Sequence, residues 1–425
     1  MARDAVAAAA AAVEDEVPAR PRQSTFHSLR YRDYRLLWFG QAGASASLWI
    51  EQLARPLLIL ELTNSALMVG LITATRMLPM LLVGIWAGVL ADRVDKRRIL
   101  LFTKSITLLT HFTTAAVVLT GVVEPWMVFA TTFIAGSSMA FDQPARQSLI
   151  PRLVPQESLQ NAIALNSAVM NVMRIGGPSL AGLVLIFLGL GHLYLIQGFL
   201  YVWVIFFTFQ ISVRTSGDAE KPKTSMFADL GEGFSAARKD RAIFYILGLS
   251  LILFVWGFPY QSVFVPLIAL DVLEIGRSGA GLLVSLTGVG ALLGSLTIAS
   301  SGGGLKRPGL VMLTMVIVYS VALLVFSRAE TMLMVVPALL VTGAMQTSYM
   351  SVNNAFVLTR TPPELHGRIM SLFSLDRGLI PLGATVGGAL AASLGPQDGL
   401  TIMALVCLGC TLFVAVAVPT LRRLT

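Results

Sequence analysis

Charged side chains are scarce in this sequence. Only 13% of its 425 residues are Asp, Glu, Lys or Arg, against 55% hydrophobic residues, and the mean hydropathy is +0.76. A soluble domain carries about 25% charged residues, so these few charges cannot cover a surface that faces water. The composition excludes an ordinary soluble protein and predicts that most of the chain faces lipid.

Residues that support catalysis or metal binding are also few. The two cysteines, Cys407 and Cys410, have a C-x-x-C spacing but lie in an apolar segment without a nearby histidine. Packing as small apolar residues is the simpler interpretation. The four histidines are scattered, and no Walker motif is present. We therefore expect no catalytic residues, no metal, no cofactor and no use of ATP, and a protein that is not an enzyme.

Long apolar runs recur along the whole chain, and a helix needs about 20 such residues to cross a bilayer. The alternating pattern of barrel strands is absent, so the runs predict helices, which satisfy their own backbone groups in lipid. The fold class is all-α. Twelve spans are predicted, at residues 36–60, 66–90, 99–121, 125–145, 159–186, 191–212, 242–269, 279–300, 309–327, 331–353, 368–394 and 399–419.

Basic residues fall on one side of these spans. With the N-terminus in the cytoplasm, the cytoplasmic segments hold 24 of the 31 Lys and Arg residues, and the outer loops hold only Arg277 and Arg328. The positive-inside rule then predicts that both termini are cytoplasmic. The net charge of +8 needs no nucleic acid as partner, because these residues face anionic lipid at the inner leaflet.

The two halves of the chain repeat at an offset of about 206 residues. The offset aligns Trp49 with Trp256 and Gly136 with Gly343, and it aligns residues 177–182 with 383–388. Two six-helix bundles related by pseudo-twofold symmetry are therefore predicted, with a site between them. The predicted regions are a disordered tail (1–27), an N-terminal bundle (28–212), a cytoplasmic linker with an amphipathic helix (213–241) and a C-terminal bundle (242–425).

Three stretches of sequence carry a family resemblance. Residues 88–98, GVLADRVDKRR, resemble the loop 2–3 signature G-x-L-A-D-R-x-G-R-R/K of the major facilitator superfamily, except that Asp95 replaces a glycine. A glycine-proline element in span 5 resembles one that is enriched in drug:proton antiporters. Residues 142–162 are similar to bacterial siderophore exporters of the enterobactin-exporter type. The span 5 element comprises Gly177, Pro178 and Gly182.

The resemblance implies a conformational latch on the cytoplasmic side. In the family, the loop 2–3 aspartate lies against the N-terminus of helix 11, whose partial positive charge it complements. Asp92 would take this role, and Lys96 and Asp142 would continue a charge chain that locks the halves together. The predicted latch comprises Gly88, Asp92, Arg93, Lys96, Arg97 and Asp142.

Charges within spans are functional candidates by default because they are costly to insert. Glu51 is the first candidate for proton coupling and Asp376 is the second. Burial favours the neutral acid at Glu51, whereas the neighbouring Arg55 favours the carboxylate. A structural ion pair at Glu51 and Arg55 remains an alternative. The substrate-cavity candidates are Arg55, Arg76, Asn171, Arg174, Trp256, Tyr260 and Arg377.

Span 7 is predicted to be interrupted, because residues 254–262, FVWGFPYQS, contain glycine and proline among aromatic residues. Interrupted helices in corresponding places of two repeats point to a binding site, although ordinary packing of glycine and proline in a membrane helix would give the same pattern.

The predicted function is proton-coupled efflux of an amphipathic small organic molecule, a drug-like compound or a siderophore, by alternating access. The excess of arginine in the spans favours an anionic substrate. Import by proton symport is the alternative within transport. A non-transporting receptor is the alternative from another class, but the longest internal cytoplasmic loop is too short for a signalling domain. The expected partners are a small-molecule substrate, protons and membrane lipid, and we expect a monomer in the bacterial cytoplasmic membrane.

Overall fold

The computed structural model describes residues 24–213, 234–235, 238, 240–300, 307–361 and 378–422, and it describes only the backbone of residues 81 and 84–93. Its long helices, in chain order, are α1 (Arg32–Thr63), α2 (Ala66–Arg93), α3 (Lys96–Leu119), α4 (Pro125–Leu153), α5 (Leu159–Phe187), α6 (Leu190–Phe209), α7 (Arg241–Val272), α8 (Gly276–Ser300), α9 (Pro308–Ser327), α10 (Met332–Arg360), α11 (Ile380–Leu394) and α12 (Pro396–Ala417).

Local sequence signals mark the helix boundaries. The carboxylate of Asp95 accepts from the backbone N–H of Arg97 at 3.1 Å and caps α3, and Asp240 caps α7 in the same way. Asn64 (φ 49°) ends α1 and Gly395 (φ 87°) separates α11 from α12, both with positive φ. The glycine that Asp95 replaces in the signature is therefore not required here, because Asp95 has an ordinary φ of −54°.

The outer surface of the helices is apolar, as the composition predicts. Eight helices in the described part of the chain are long and apolar enough to cross a membrane, and Ala66–Met80 and Ile380–Leu394 are shorter apolar segments. Large hydrophobic side chains such as Phe102, Phe187 and Phe413 are exposed. Helices α1 and α4 have 32 and 29 residues but carry more polar and charged groups. The count of twelve spans therefore remains a prediction.

The helix pairs of the first half recur in the second. Helix α2 packs on α4 as α8 packs on α10, and α3 packs on α4 and α6 as α9 packs on α10 and α12. In both halves a glycine makes the close crossing: a Cβ on Gly136 would collide with the backbone carbonyl of Arg76, and a Cβ on Gly343 would collide with that of Thr287. The aligned pair Gly136 and Gly343 thus occupies equivalent positions.

Two crossings join the halves at one end of the bundle, which we call the Asn64 end because the α1–α2 turn lies there. Helix α5 packs on α8 and α2 packs on α11. A Cβ on Gly281 would lie 2.7 Å from Cα of Gly182, and a Cβ on Gly388 would lie 3.0 Å from Cα of Gly70. Backbones this close leave no passage between these helices, so this end is closed.

Several helices extend past the predicted spans. Helix α4 continues to Leu153 rather than 145, and α10 continues to Arg360 rather than 353. Hydropathy marks where a helix leaves the lipid, whereas a helix ends only where its hydrogen bonding ends. Helix α2 likewise runs through Arg93, so only two residues connect it to α3, and most of the signature predicted as a loop is helical.

Candidate functional site

A buried carboxylate on α1 joins two arginines, and we call these three residues the Glu51 triad. Glu51 Oε1 accepts from Arg55 Nη2 one turn along the same helix, and Glu51 Oε2 lies 3.1 Å from Arg76 Nη2 of α2. Glu51 and Arg55 are each 5% exposed. The structure therefore brings together three predicted residues. The ion pair between Glu51 and Arg55 on α1 is joined to α2 through Arg76.

Neutral polar side chains surround the triad. His111 of α3 is buried, and its Nε2 lies 3.4 Å from the hydroxyl of Ser47, which also donates to Gln197 of α6 at 3.3 Å. The His111 ring lies 5.2 Å from that of Tyr201. In the sequence His111 is only one of four scattered histidines, because nothing local shows that α3 places it beside α1.

A second carboxylate has the same arrangement nearer the opposite end of the bundle, and we call its group the Asp142 triad. Asp142 of α4 lies 2.9 Å from Lys104 Nζ of α3 and 3.6 Å from Arg146 Nε one turn along α4. Thr103 adds a hydrogen bond to Asp142 at 3.4 Å. Lys104 is 4% exposed. Lys104 and Arg146 are functional candidates that the sequence analysis did not identify.

Both triads border one cavity of about 120 Å³ within the first half. Glu51 and Arg76 lie on its wall with Lys104, Asp142 and Arg146, while Leu48, Ala135, Met139 and Met170 supply apolar surface. Tyr201 also lines the cavity and interacts electrostatically with charges of both triads. The cavity thus combines ion pairs, neutral polar groups and an adaptable apolar wall.

Arg174 of α5 reaches from the first half to the second. Its Nη2 donates to Gln346 Oε1 at 2.6 Å and its Nη1 donates to the Thr347 hydroxyl at 3.1 Å, both on α10. The guanidinium also lies over the Trp49 ring, 5.3 Å from its centroid. Arg174 therefore ties the two halves together near the middle of α5, while Asn171, one turn earlier, is partly buried.

The interruption predicted in span 7 is confirmed. After Ile252, α7 continues as a π-helical stretch (Leu253–Gly257) and a 3₁₀ turn (Phe258–Tyr260). Irregular turns of this kind often occur at functional sites. Tyr260 is buried, and its ring meets that of Tyr319 edge-on at 6.0 Å and lies within electrostatic range of Arg174. Trp256 is partly buried against the core.

The span 5 element lies at two helix crossings. A Cβ on Gly177 would lie 2.8 Å from Trp49 Cβ of α1, and Gly182 faces Gly281 of α8. The Pro178 carbonyl lies in the same contact, 2.9 Å from a Cβ built on Gly281. These residues therefore let α5 approach one helix from each half.

The structure describes the predicted latch only in part. The side chains of Gly88, Asp92 and Arg93 lie outside the described residues, as do Asp376, Arg377 and the start of span 11. Lys96 is 2% exposed, and Arg97 donates to the Phe209 carbonyl of α6. The ion pairs described for Asp142 are with Lys104 and Arg146. The latch and its cap on α11 stay predictions.

Metal binding finds no support in the described part of the chain, where no group of three or more His, Cys, Asp or Glu side chains could hold an ion. Cys407 is buried and Cys410 is partly buried, and both are free thiols on α12.

Solved transporter structures share this fold. The nucleoside transporter NupG superposes with a TM-score of 0.69 at 15% identity, covering 93% of this chain and all of the other. A bacterial homologue of the human lysosomal transporter Spinster, in an inward-facing and unoccupied conformation, gives a TM-score of 0.69 at 14% identity and covers 92% and 96% of the two chains. At these identities the likeness concerns the fold alone.

Sequence relatives cover nearly the full length of the chain. The staphyloferrin A transporter of Staphylococcus aureus is 24% identical over 84% of this chain and 88% of its own. The multidrug efflux pump Tap of Mycolicibacterium fortuitum is 26% identical over 92% and 96%, and the macrolide efflux protein A of Streptococcus pyogenes is 24% identical over 87% and 92%. The profile of the transmembrane secretion effector family matches residues 23–425. The chain therefore belongs to this family of the major facilitator superfamily, and it is a multi-pass transporter of the bacterial cytoplasmic membrane.

Proposed function

We propose that the protein exports amphipathic small organic molecules, using the proton gradient, by alternating access between two bundles at residues 28–212 and 242–425. The observation that carries the proposal is the Glu51 triad, a titratable acid that lies in the membrane on the wall of a cavity. The relatives named for efflux of macrolides and multiple drugs favour export over import.

The orientation follows from the basic residues. The positive-inside rule puts the Asn64 end outside, so the crossings of α5 with α8 and of α2 with α11 would close the outer side. The ion pair between Arg277 of α8 and Glu61 of α1 joins the halves at the same end. In the outward-facing state, the latch at Asp92 and Asp142 would hold the halves together on the cytoplasmic side.

One proton supplies adequate energy. A unit charge that crosses about 100 mV yields about 2.3 kcal/mol, and one pH unit adds about 1.4 kcal/mol. Each tenfold concentration gradient costs about 1.4 kcal/mol. One proton per cycle therefore supports a gradient of roughly a few hundredfold.

The test replaces the proposed proton carrier. In proteoliposomes, a panel of labelled drug-like compounds first identifies one that accumulates under a pH gradient and stops when a protonophore is added. Glu51→Gln should bind that compound and retain its downhill exchange, but lose accumulation driven by the pH gradient. Glu124→Gln, at an exposed glutamate that precedes α4, is the matched control and should transport normally.

Removing Glu51 leaves the buried Arg55 and the partly buried Arg76 without their carboxylate, and breaking a buried ion pair in this way destabilises a protein by about 3–5 kcal/mol. The double variant Glu51→Gln/Arg55→Gln removes both charges of the pair and separates loss of folding from loss of coupling. If Glu51→Gln accumulates the compound as well as the wild type, Glu51 is a structural ion-pair partner. The same assay on Asp376→Asn then tests coupling in the second half.

A further inference from the structure

The cavity between the two triads carries an excess of positive charge. Three basic side chains on its wall, Arg76, Lys104 and Arg146, face two carboxylates, Glu51 and Asp142. Arg55 lies off the wall but shares Glu51 with Arg76, which adds to the positive charge nearby. The other polar side chains on the cavity wall, such as Gln41, Ser45 and Gln143, are neutral. Among the described wall residues, no further carboxylate offsets the excess.

An uncompensated charge in a membrane-embedded cavity is costly. A single carboxylate bound between the triads would offset one positive charge and accept hydrogen bonds from the basic side chains, which makes the strong, charge-assisted kind of contact. Lys104 and Arg146 have one carboxylate between them and Arg76 shares Glu51 with Arg55, so each triad retains positive charge for a ligand.

The dimensions fit a head group rather than a whole drug-sized molecule. Drug-sized ligands occupy pockets of about 300–1,000 Å³, whereas this cavity holds about 120 Å³. Leu48, Met139 and Met170 lie on the same wall and offer polarisable apolar surface. An amphipathic molecule would insert its charged group between the triads and lay the adjoining carbons against these side chains.

We propose that this cavity binds the anionic group, a carboxylate, sulfonate or phosphate, of an amphipathic organic substrate. The inference rests on the proposed transport function and adds the charge class of its substrate. Arg76, Lys104 and Arg146 are the residues that select the charge, and the apolar wall accepts the body of the molecule.

Three probes that share a pyrene body separate charge from hydrophobicity: 1-pyrenebutyrate is anionic, 1-pyrenebutanol is neutral and 1-pyrenebutylamine is cationic. Binding to the full-length protein in phosphatidylcholine nanodiscs is measured by energy transfer from tryptophan to pyrene. Pyrenebutyrate should bind about tenfold more tightly than pyrenebutanol, and pyrenebutylamine should bind most weakly. Equal or tighter binding of the neutral or cationic probe would overturn the inference.

Variants of the Asp142 triad should change affinity in opposite directions. Lys104→Gln removes a positive charge and should weaken pyrenebutyrate binding about tenfold, whereas Asp142→Asn removes a negative charge and should strengthen it. Lys104→Arg keeps the charge and should retain binding, which distinguishes loss of charge from loss of folding. Arg98→Gln, at an exposed arginine in the first turn of α3, is the control. Parallel losses in Lys104→Gln and Asp142→Asn would refute the charge argument.

Anionic lipid is the other source of such a head group. Adding phosphatidylglycerol to the nanodiscs should leave pyrenebutyrate affinity unchanged, and displacement of the probe would make the occupant a lipid and overturn the assignment to substrate.

Measurements of flux distinguish the anion site from the proposed export function. Accumulation of a cationic compound under a pH gradient would leave export intact and remove the anion preference, whereas charge-selective binding without any pH-driven flux would support the anion site and count against the proposed function.

Discussion

The closed end of the bundle depends on a glycine contact that one methyl group would disrupt. A Cβ on Gly281 of α8 would lie 2.7 Å from Cα and 2.9 Å from N of Gly182, and 2.9 Å from the Pro178 carbonyl oxygen. All three atoms belong to the backbone of α5, so no side-chain rotation relieves the clash. We predict that Gly281→Ala forces α5 and α8 apart and disfavours the state in which this end is closed.

The magnitude follows from the cost of overpacking, which is about 1–3 kcal/mol for an added methylene in a tight contact. A state in which the two helices separate does not bear this cost, and the gain in helix propensity from glycine to alanine is common to both states. The ratio of open to closed protein should therefore rise about 5- to 150-fold. Gly176→Ala on α5 is the control, because a Cβ at Gly176 meets no atom within 4 Å.

Cysteine accessibility measures the shift. The chain has two cysteines, Cys407 and Cys410, so replacing both by serine and introducing Ser262→Cys gives one reporter thiol. Ser262 of α7 is 7% exposed and lines a small cavity with Gln52 and other residues of the first half. A membrane-impermeant maleimide should label it faster in Gly281→Ala and at the parent rate in Gly176→Ala. Unchanged labelling in Gly281→Ala would refute the role of this contact in closure.

Two further predictions concern topology and the latch. Reporter fusions at positions 225 and 425 should both report a cytoplasmic location, because the basic residues concentrate on that side, and an outward signal from either fusion would contradict the assigned orientation. Asp92→Asn should reach the membrane in normal amounts but transport poorly, since insertion depends on the neighbouring basic residues while the latch needs the negative charge. Normal transport by this variant would leave residues 93–98 with an anchoring role alone.

Hydropathy and spacing sufficed for much of the fold. Long apolar runs predict membrane helices directly. The repeat offset that aligned Gly136 with Gly343 also predicted equivalent crossings, because a glycine that close backbone contact requires can be recognised in a single sequence when it recurs in both halves. Helix ends were less predictable. Helix α4 continues for eight residues after its predicted end at 145, since a helix that leaves the lipid keeps its hydrogen bonds in water.

The ion-pair partners of Asp142 were not predictable either. Asp142 was expected near the cytoplasmic end of span 4, in a charge chain with Lys96, and that role stays a prediction. The ion pairs that the structure describes for Asp142 are with Lys104, two turns into α3, and with Arg146. The pair Glu51 and Arg55 was predictable because residues four apart share a helix face. The contacts of Glu51 with Arg76 and of Asp142 with Lys104 depend on how helices pack, and no local spacing encodes them.

The sign of the coupling between proton and substrate gives the sharpest test of the electrostatic argument. Protonation of Glu51 or Asp142 on the cavity wall removes a negative charge, and protonation of His111 near Glu51 adds a positive one. A proton taken up by any of them must therefore strengthen the binding of an anion in the same conformation. Competition for one carboxylate, the simplest basis of exchange, would instead require a cationic substrate. Proton-coupled export of an anion would therefore require that protonation and anion binding favour different conformations of the protein. The inside-negative membrane potential would aid this export, because it drives anions outward.

The carboxylate of pyrenebutyrate becomes neutral at low pH, whereas a sulfonate stays ionised, so the probe here is 1-pyrenesulfonate, and we expect its affinity to rise as the pH falls. A unit charge about 10 Å away at an effective dielectric constant of about 20 contributes about 1.7 kcal/mol, which corresponds to a roughly ten- to twentyfold change in affinity. Glu51→Gln should bind the probe more tightly than the wild type at neutral pH, and should lose the part of the pH dependence that Glu51 contributes. Arg98→Gln should keep the full dependence. Weaker binding at low pH would mean that proton and ligand compete, and the anion site would then not be the one bordered by these two carboxylates.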